Sequence, residues 1–274
     1  MFELVISLYY DKNKDRHAEL INCLKKNLKI NCIKKVHLLL EGDVPGIPKT
    51  KKIVTHHIDS RPTYNTFFDY CNKNIKGNAI IANADISFDK TLKKISNKLT
   101  YDHFIFISRH ESEQEGLIEI PNIYGRYNKT YENIFSHDAW IFKSPMKYRA
   151  DVDVTVGTFF CDGLIIYFLH NHTDYKLYNL SHDIKIIHNH NTSIPDSVLR
   201  AKDQKYIQDR HNFLMDKFNF PDHNFVAGIR VSKISNLNTQ YLSNNVWMHY
   251  TTYYDILENL HGKRFVSLKT GTVA

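Results

Sequence analysis

Glycine and proline are scarce in this chain: its 274 residues include ten glycines and seven prolines. This scarcity argues against long disordered linkers. No Gly-x-Gly-x-x-Gly follows the first predicted strand, and the chain contains no Walker A loop. A dinucleotide cofactor and a P-loop ATP site are therefore not expected. No hydrophobic stretch is long enough to span a membrane.

The four cysteines form no C-x-x-C pair and have no even spacing. This pattern is typical of reduced thiols in a cytosolic protein. The first ten residues carry an acid at position 3 and only a short apolar run, which predicts a strand rather than a signal peptide. We therefore expect a soluble, cytoplasmic protein.

The net charge is +7 at neutral pH. An excess of basic residues indicates an anionic partner without identifying it, so nucleic acid, a membrane surface and nucleotide phosphates are all possible partners. The lysines are scattered in pairs and form no arginine-rich stripe. Nucleic-acid binding is therefore the minority interpretation, and a solvated basic surface is the default.

Strand and helix patterns alternate through the first half of the chain, which predicts a doubly wound α/β sheet. The elements predicted there are strand 2–10, helix 14–30, strands 36–40 and 53–58, helix 65–74 and strand 80–82. The next predicted elements are a helix containing Leu92, Ile95 and Leu99, strands 103–108 and 136–142, helix 164–169, and strands 175–180 and 183–187.

Residues 109–135 form a polar, Tyr- and Asn-rich segment, predicted to be a long loop with a small hairpin. Loops of that length in a compact domain are usually functional, and an acceptor-binding flap would fit. The composition changes beyond Pro195, so we expect a catalytic domain over 1–195 and a C-terminal helical or irregular appendage over 196–274. Within the appendage the expected elements are helix 196–218, strand 224–231 and helix 254–260.

Asn83 and Asp85 directly follow the predicted strand 80–82. Residues two apart on an extended chain point the same way, so both side chains share one face at the strand's C-terminal end. Open α/β sheets bind ligands at that edge, and a carboxylate beside an amide suits a divalent cation bound to a phosphate. The plainer interpretation is an Asp turn followed by a helix capped at Ser87 or Asp89.

Further polar residues stand at predicted element ends. Arg61 lies between a strand and a helix, where it either binds a phosphate or is an exposed turn residue. His188 and His190 share one face by period two, as a metal clamp requires. Asp138 begins a strand, and Asp162 falls in the first turn of a helix, where the helix dipole favours a carboxylate in any case.

Five short segments occur in a fixed order: Arg61-Pro-Thr-Tyr64, Asn83-Ala-Asp85, Asp138-Ala-Trp140, Cys161-Asp162 and His188-x-His190. In this order the chain resembles nucleotide-sugar-dependent glycosyltransferases of the GT-A type, particularly small stand-alone transferases of large DNA viruses and of bacteria that build surface glycans. The resemblance covers about residues 1–195, and Asn83 replaces the first acid of that family's Asp-x-Asp. It implies a GT-A (Rossmann-like) mixed sheet flanked by helices.

The resemblance also implies an activity, namely transfer of a sugar from a nucleoside-diphosphate sugar, with UDP favoured, to a hydroxyl of a glycan acceptor. It implies Mn²⁺ or Mg²⁺ held by Asp85 with His188 or His190. The residues it implies for donor binding are Leu8, Tyr9, Asp11, Glu41, Arg61, Tyr64, Asn83 and Ala84. Asp162 is the expected general base of an inverting reaction, and Asp138 is its rival; a retaining reaction needs no such base.

Two other functions stay open. A sugar-1-phosphate nucleotidyltransferase normally has a Gly-rich loop after the first strand, whereas residues 8–13 here contain no glycine. A carbohydrate-binding module without enzymatic activity would stack its many aromatic residues on sugars. No nucleic-acid partner is expected, and contact with a membrane surface or a partner protein through the basic surface or the tail stays open.

Overall fold

The computed structural model describes residues 1–113, 116–117, 133–134, 137–158, 161–189, 224–230, 232–238 and 246–251. The α-helices in these ranges are α1 (Lys14–Leu28), α2 (Tyr64–Asn74) and α3 (Cys161–His172). The strands are β1 (Phe2–Tyr9), β2 (Ile33–Glu41), β3 (Ile53–Ile58), β4 (Gly77–Ala82), β5 (Ile86–Phe88), β6 (His103–Ile107), β7 (His110–Glu113), β8 (Gly116–Leu117), β9 (Asn133–Ile134), β10 (Ala139–Ser144), β11 (Lys176–Asn179), β12 (Ile186–His188), β13 (Asn224–Arg230) and β14 (Val246–Thr251).

The main sheet has seven strands in the order β11-β6-β10-β4-β1-β2-β3. Strands β1 to β4 run parallel, β10 runs antiparallel to both β4 and β6, and β11 runs parallel to β6. The C-terminal ends of six strands and the start of β10 therefore meet at one edge, called the carboxyl edge below. This mixed, Rossmann-like sheet with flanking helices confirms the predicted α/β class.

The sheet buries apolar side chains on both faces, as expected for strands covered by helices on each side. Residues Ile6, Leu38 and Ile80 pack with α1 on one face. Phe104 and Trp140 pack with α2 and α3 on the other. Each such buried side chain contributes about 1.5–3 kcal/mol, so these two layers supply most of the driving force for folding.

The first two helices begin at the carboxyl edge because each follows a parallel strand. Asn13 caps α1, and its Oδ1 accepts hydrogen bonds from the backbone N–H groups of Asp15 and Arg16 at 3.0 and 3.3 Å. Thr63 caps α2 in a capping box with Thr66. Both caps satisfy N–H groups that a helix leaves without partners at its start.

The chain after Asp89 differs from the prediction of a helix that includes Leu92, Ile95 and Leu99. A 3-10 helix covers only Lys90–Ile95, and Asp89 caps it by accepting the Thr91 N–H at 2.8 Å. The hydroxyl of Ser96 donates to the carbonyl of Lys93 at 3.1 Å. The Ser96 side chain thus competes for a backbone partner, which favours an end of the helix before Leu99.

A second sheet has the strand order β5-β12-β7-β8. Strands β7 and β8 are the small hairpin predicted inside the 109–135 loop, with Ser112 opposite Leu117. Residues 118–132 of that loop lie outside the described part of the chain. Strand β12 pairs with β5 so that His188 lies opposite Ile86, which brings the end of β12 beside the residues that follow β4.

Strand β13 confirms the strand predicted at 224–231, and it pairs with β14 and β9. The described residues after β13 contact the main sheet. The N–H of Ser232 donates to the Asn179 carbonyl at 2.7 Å, and Ile234 and Leu237 pack into the core. The helices predicted at 196–218 and 254–260 lie outside the described residues, and the domain boundary at 195 stays a prediction. Across the ranges given above, no helix has the length and hydrophobicity to cross a bilayer.

Candidate functional site

A cleft of about 220 Å³ opens at the carboxyl edge beside β1, β2 and β4. Six residues predicted from the sequence line it together: Tyr9, Glu41, Arg61, Asn83, Ala84 and Asp85. The lining also includes Ser7 and Arg16, which the sequence did not single out. Two acids therefore face two arginines in one concave space. This composition suits a ligand that carries both hydroxyl groups and negative charge.

The carboxylate of Asp85 is held by two cationic or potentially cationic groups. Its Oδ2 accepts a hydrogen bond from Arg16 Nη2 at 2.5 Å and lies 3.3 Å from His188 Nε2. Burial by itself raises the pKa of Asp85, but the contacts with His188 and Arg16 outweigh burial and hold the pKa well below its usual range. Asp85 is therefore ionised throughout the physiological pH range.

Arg16 is fixed at both ends of its guanidinium group. Nη2 contacts Asp85, and Nη1 lies 3.1 Å from Glu19 Oε2. The side chain is 16% exposed, so it is largely enclosed while still lining the cleft. The Asn13 cap puts Arg16 in the first turn of α1, at the carboxyl edge, but no local sequence signal indicates its contact with Asp85.

The other arginine, Arg61, lies against a glycine. Arg61 Nη2 donates a hydrogen bond to the carbonyl of Gly157 at 3.2 Å. Gly157 has φ +70°, and a Cβ added there would lie 2.7 Å from Arg61 Nη2. Only glycine accepts both this backbone conformation and this close approach without strain. Backbone hydrogen bonds from Val156 to Pro62 and from Tyr64 to Val154 hold the two segments together.

Ser7 and Glu41 lie at the ends of neighbouring parallel strands. The Ser7 hydroxyl donates to Glu41 Oε1 at 2.5 Å. The hydrogen bond fixes the carboxylate, and its remaining lone pairs can accept hydroxyl or amide donors from a ligand. Tyr9 follows two positions after Ser7 on the same face and is 36% exposed. Its ring offers a flat surface for stacking.

Asn83 links the cleft to a buried acid behind it. Asn83 Nδ2 donates to Asp138 Oδ1 at 3.0 Å, and Arg109 Nη1 lies 3.1 Å from the same oxygen. Asp138 is 3% exposed, and within the described part of the chain its Oδ2 has no hydrogen-bond partner. Burial raises the pKa of Asp138, although Arg109 opposes the shift.

Asp162 lies in the first turn of α3, next to this buried acid. Its Oδ2 accepts the backbone N–H of His137 at 3.4 Å. Burial, together with the charge of Asp138, raises the pKa of Asp162 to about 8. Neither Asp138 nor Asp162 belongs to the lining of the cleft. The two acids form a pair behind it whose protonation states depend on each other.

The remaining predicted residues do not line the cleft. The side chains of Leu8 and Tyr64 are fully buried, and Tyr64 packs edge-on against Trp140 with the ring centroids 5.1 Å apart. Asp11 accepts the backbone N–H of Asn13 at 2.8 Å, so it supports the start of α1. His190 lies outside the described residues.

Within the described ranges, no three His, Cys, Asp or Glu side chains come together in a group that could hold a metal ion. Asp85 and His188 are two of the predicted ligands, and the structure brings them within contact distance of each other. The separation of 3.3 Å fits two neighbouring ligands of one cation, because bonds of about 2.1 Å at right angles place their ligand atoms about 3 Å apart.

No known protein-family model matches the sequence, and no curated protein matches it either. Many solved structures, including the following three, show a distant likeness. The mannosyltransferase PcManGT from Pyrobaculum calidifontis, in complex with GDP-Man and Mn²⁺, has a TM-score of 0.45 and 8% identity, covering 81% of this chain and 65% of its own. S. aureus TarS in complex with UDP-GlcNAc has a TM-score of 0.37 and 12% identity, covering 80% and 73%.

The third is the inositol-1-phosphate CTP transferase from T. maritima, with a TM-score of 0.38 and 11% identity, covering 72% of this chain and 92% of its own. At such low scores and identities these likenesses assign neither an activity nor a substrate to this chain. The fold and the cleft define the molecule only as an α/β protein with a mixed acidic and basic cleft at its carboxyl edge.

Proposed function

We propose that this protein is a glycosyltransferase that moves a sugar from a nucleoside-diphosphate sugar, preferably a UDP-sugar, to a hydroxyl of a glycan acceptor. The observation that supports this proposal most is the composition of the cleft, where Glu41 and Asp85 face Arg16 and Arg61. The nucleoside-diphosphate part of such a donor carries hydroxyl and N–H donors at one end and two negative phosphate charges at the other. The cleft offers matching groups for both ends.

The nucleoside would lie over the end of β1 and β2. Glu41, fixed by Ser7, accepts hydrogen bonds from ribose hydroxyls, and the exposed Tyr9 ring stacks on the base. The diphosphate would then point toward Arg61, which stands just before the start of α2. Arginine binds phosphate oxygens through paired N–H groups, and helix starts favour negative charge.

Asp85 Oδ2 and His188 Nε2 would hold a divalent cation. A carboxylate with an imidazole suits Mn²⁺, and phosphate oxygens and water complete such shells. When bound, the cation neutralises negative charge on the leaving diphosphate. Asn83 would bind a ribose or phosphate oxygen, with its position set by the hydrogen bond to Asp138.

If the reaction inverts configuration, the acceptor hydroxyl must lose a proton, and Asp162 is the proposed base. A pKa of about 8 makes its ionised form a much stronger base than an ordinary carboxylate. Asp138, held by Asn83 and Arg109, would bind donor or acceptor hydroxyls. The cleft residues lie within the proposed catalytic domain 1–195, and the proposed location is the cytoplasm.

A thermal-shift panel tests this proposal. The full chain is melted with UDP, GDP, CDP and ADP and the corresponding sugar nucleotides, each with Mn²⁺ and with EDTA. A ligand at a hundred times its Kd stabilises the folded state by about 2.7 kcal/mol. We expect a Mn²⁺-dependent rise in the melting temperature with one base. No rise with any nucleotide would contradict the proposal.

Two further experiments distinguish a glycosyltransferase from the two alternative functions. A nucleotidyltransferase would release pyrophosphate from a nucleoside triphosphate and a sugar 1-phosphate, which a coupled phosphate assay detects. A carbohydrate-binding module would bind glycans on an array with no change on adding nucleotide or EDTA. The absence of glycine between β1 and α1 weighs against the nucleotidyltransferase, because a flexible loop there normally cradles the triphosphate.

A further inference from the structure

Arg16 binds the same carboxylate oxygen that the proposed metal site needs. Its Nη2 lies 2.5 Å from Asp85 Oδ2, which is also the atom 3.3 Å from His188 Nε2. A divalent cation bound to this oxygen would lie about 2.1 Å from it. The guanidinium group and the cation would then crowd one oxygen with two positive charges. Occupation of Asp85 by Arg16 and by a metal ion are therefore competing states.

The neighbours of Arg16 keep it at this position. Glu19 lies one helical turn further along α1, and its Oε2 is 3.1 Å from Arg16 Nη1. The Arg16 side chain is 16% exposed and that of Asp85 is 15% exposed, so solvent and salt screen the ion pair little. A metal ion that enters alone must displace this enclosed pair.

A nucleoside diphosphate changes the balance because it brings at least two negative charges into the cleft that Arg16 lines. The guanidinium group forms a planar fork that fits phosphate oxygens. Arg16 stands on the first turn of α1 and lines the cleft, so its long side chain can contact a phosphate bound there. The metal ion can then take the vacated oxygen.

We propose that Arg16 is an exchangeable counter-cation: it holds Asp85 while the cleft contains no nucleotide, and it moves onto the diphosphate when the nucleotide and a divalent cation enter together. The proposal rests on the proposed function of the cleft. Under this proposal the metal ion and the nucleotide each bind more tightly when the other is present. The nucleotide draws Arg16 away from Asp85, and the metal ion replaces Arg16 as the partner of Asp85.

The variant Arg16→Gln removes both the competitor for Asp85 and the contact with phosphate. The two losses have opposite effects on metal binding and on nucleotide binding, so measuring both affinities distinguishes them. Binding of Mn²⁺ is measured by the EPR signal of the free ion, without nucleotide and with UDP or GDP, in parallel with nucleotide binding by calorimetry. We expect Mn²⁺ alone to bind about tenfold more tightly than in the wild type, and the nucleotide with Mn²⁺ to bind about tenfold more weakly.

Arg149→Gln is the matched control. Arg149 forms an exposed ion pair with Asp69 at 2.7 Å, outside the lining of the cleft. It should match the wild type in both measurements. Arg16→Lys keeps a positive charge near Asp85 but loses the planar fork, so Mn²⁺ alone should still bind weakly while the nucleotide loses affinity.

Three results would overturn the proposal for Arg16. In the first, Arg16→Gln changes the affinity for Mn²⁺ alone and the affinity for nucleotide with Mn²⁺ in the same direction. In the second, Arg16→Gln changes neither affinity. In the third, Arg16→Lys binds Mn²⁺ alone as tightly as Arg16→Gln does. Wild-type protein that binds no nucleoside diphosphate with Mn²⁺ would instead contradict the proposed function. The wild-type and variant titrations therefore distinguish the two failures.

Discussion

His188 Nε2 lies 3.3 Å from Asp85 Oδ2, although 103 positions separate the two residues in the chain. The pairing of β12 with β5 produces this contact, because it places His188 opposite Ile86, the neighbour of Asp85. The N–H of Asn189 also donates to the Asp85 carbonyl at 3.0 Å. The side chains that would share a cation are thus joined by backbone hydrogen bonds between their strands.

Replacement of Asp85 by alanine should abolish sugar transfer while the protein stays folded. Asp85 follows the end of β4, so its removal leaves the sheet core in place; Arg16 loses its ion-pair partner, which lowers stability, and the proposed metal site loses its carboxylate. We expect turnover to fall by at least about 10²- to 10³-fold, the usual cost of removing one group that stabilises charge in the transition state. Steady-state kinetics with Mn²⁺ and a thermal melt measure both effects. Full activity in Asp85→Ala would show that the site is elsewhere.

Gly157→Ala should destabilise the protein and weaken nucleotide binding. An alanine at φ +70° costs about 1–2 kcal/mol in backbone energy. Its Cβ would lie only 2.7 Å from Arg61 Nη2, so the arginine side chain would have to move. Urea denaturation gives the change in the free energy of unfolding, and calorimetry gives the nucleotide affinity.

Gly46→Ala is the control for this substitution. Gly46 has a similar φ of +83°, but a Cβ there would meet only Ile21 at an ordinary 3.8 Å. It should lose a similar backbone energy and keep its nucleotide affinity. Equal losses of affinity in both variants would contradict a role for Arg61 in binding.

The pKa of Asp162 predicts how stability depends on pH. The folded protein raises this pKa to about 8, so it keeps a proton that the unfolded chain releases near pH ~4. The stabilisation from the neutral carboxyl is fully present below pH ~4 and is lost as pH rises to about 8, with a slope of at most about 1.4 kcal/mol per pH unit. Asp162→Asn, which cannot titrate, should therefore gain stability relative to the wild type between pH 5 and pH 8. Urea denaturation at each pH measures the difference, and a constant difference would contradict the raised pKa.

The same variant tests whether Asp162 is the base. Loss of a general base typically lowers turnover about 10²- to 10⁴-fold. If Asp162 has this role, Asp162→Asn should lose turnover while its donor affinity, measured by calorimetry, stays within error of the wild type. Unchanged turnover would transfer the role to Asp138, for which Asp138→Asn is the corresponding variant.

The sequence predicted the class of the fold and much of the cleft because strand ends are visible in it. Apolar runs bounded by polar residues located β3 over Ile53–Ile58 as observed, and they placed Glu41 and Asp85 at the carboxyl edge. Alternation along β1 is also visible in the sequence: Ser7 and Tyr9 line the cleft, while the side chain of Leu8 between them is buried.

Other features depend on contacts that no local pattern contains. Arg16 has the spacing of an ordinary polar residue on an amphipathic helix, and only the position of β4 beside β1 brings Asp85 to it. The raised pKa of Asp162 in α3 arises from burial and from Asp138, which lies just before β10. Tyr64 follows the predicted turn, but the packing of α2 against Trp140 buries it.

Calorimetric titration with the nucleoside diphosphate selected by the thermal-shift panel tests the central claim most directly. It compares the wild type with Asp85→Ala, each in Mn²⁺ and in EDTA. We predict that Mn²⁺ strengthens binding to the wild type by at least about tenfold and has no effect on Asp85→Ala. Equal nucleotide affinity in Mn²⁺ and EDTA for the wild type, or the same Mn²⁺ effect in both proteins, would contradict a metal-dependent nucleotide-sugar site built on Asp85.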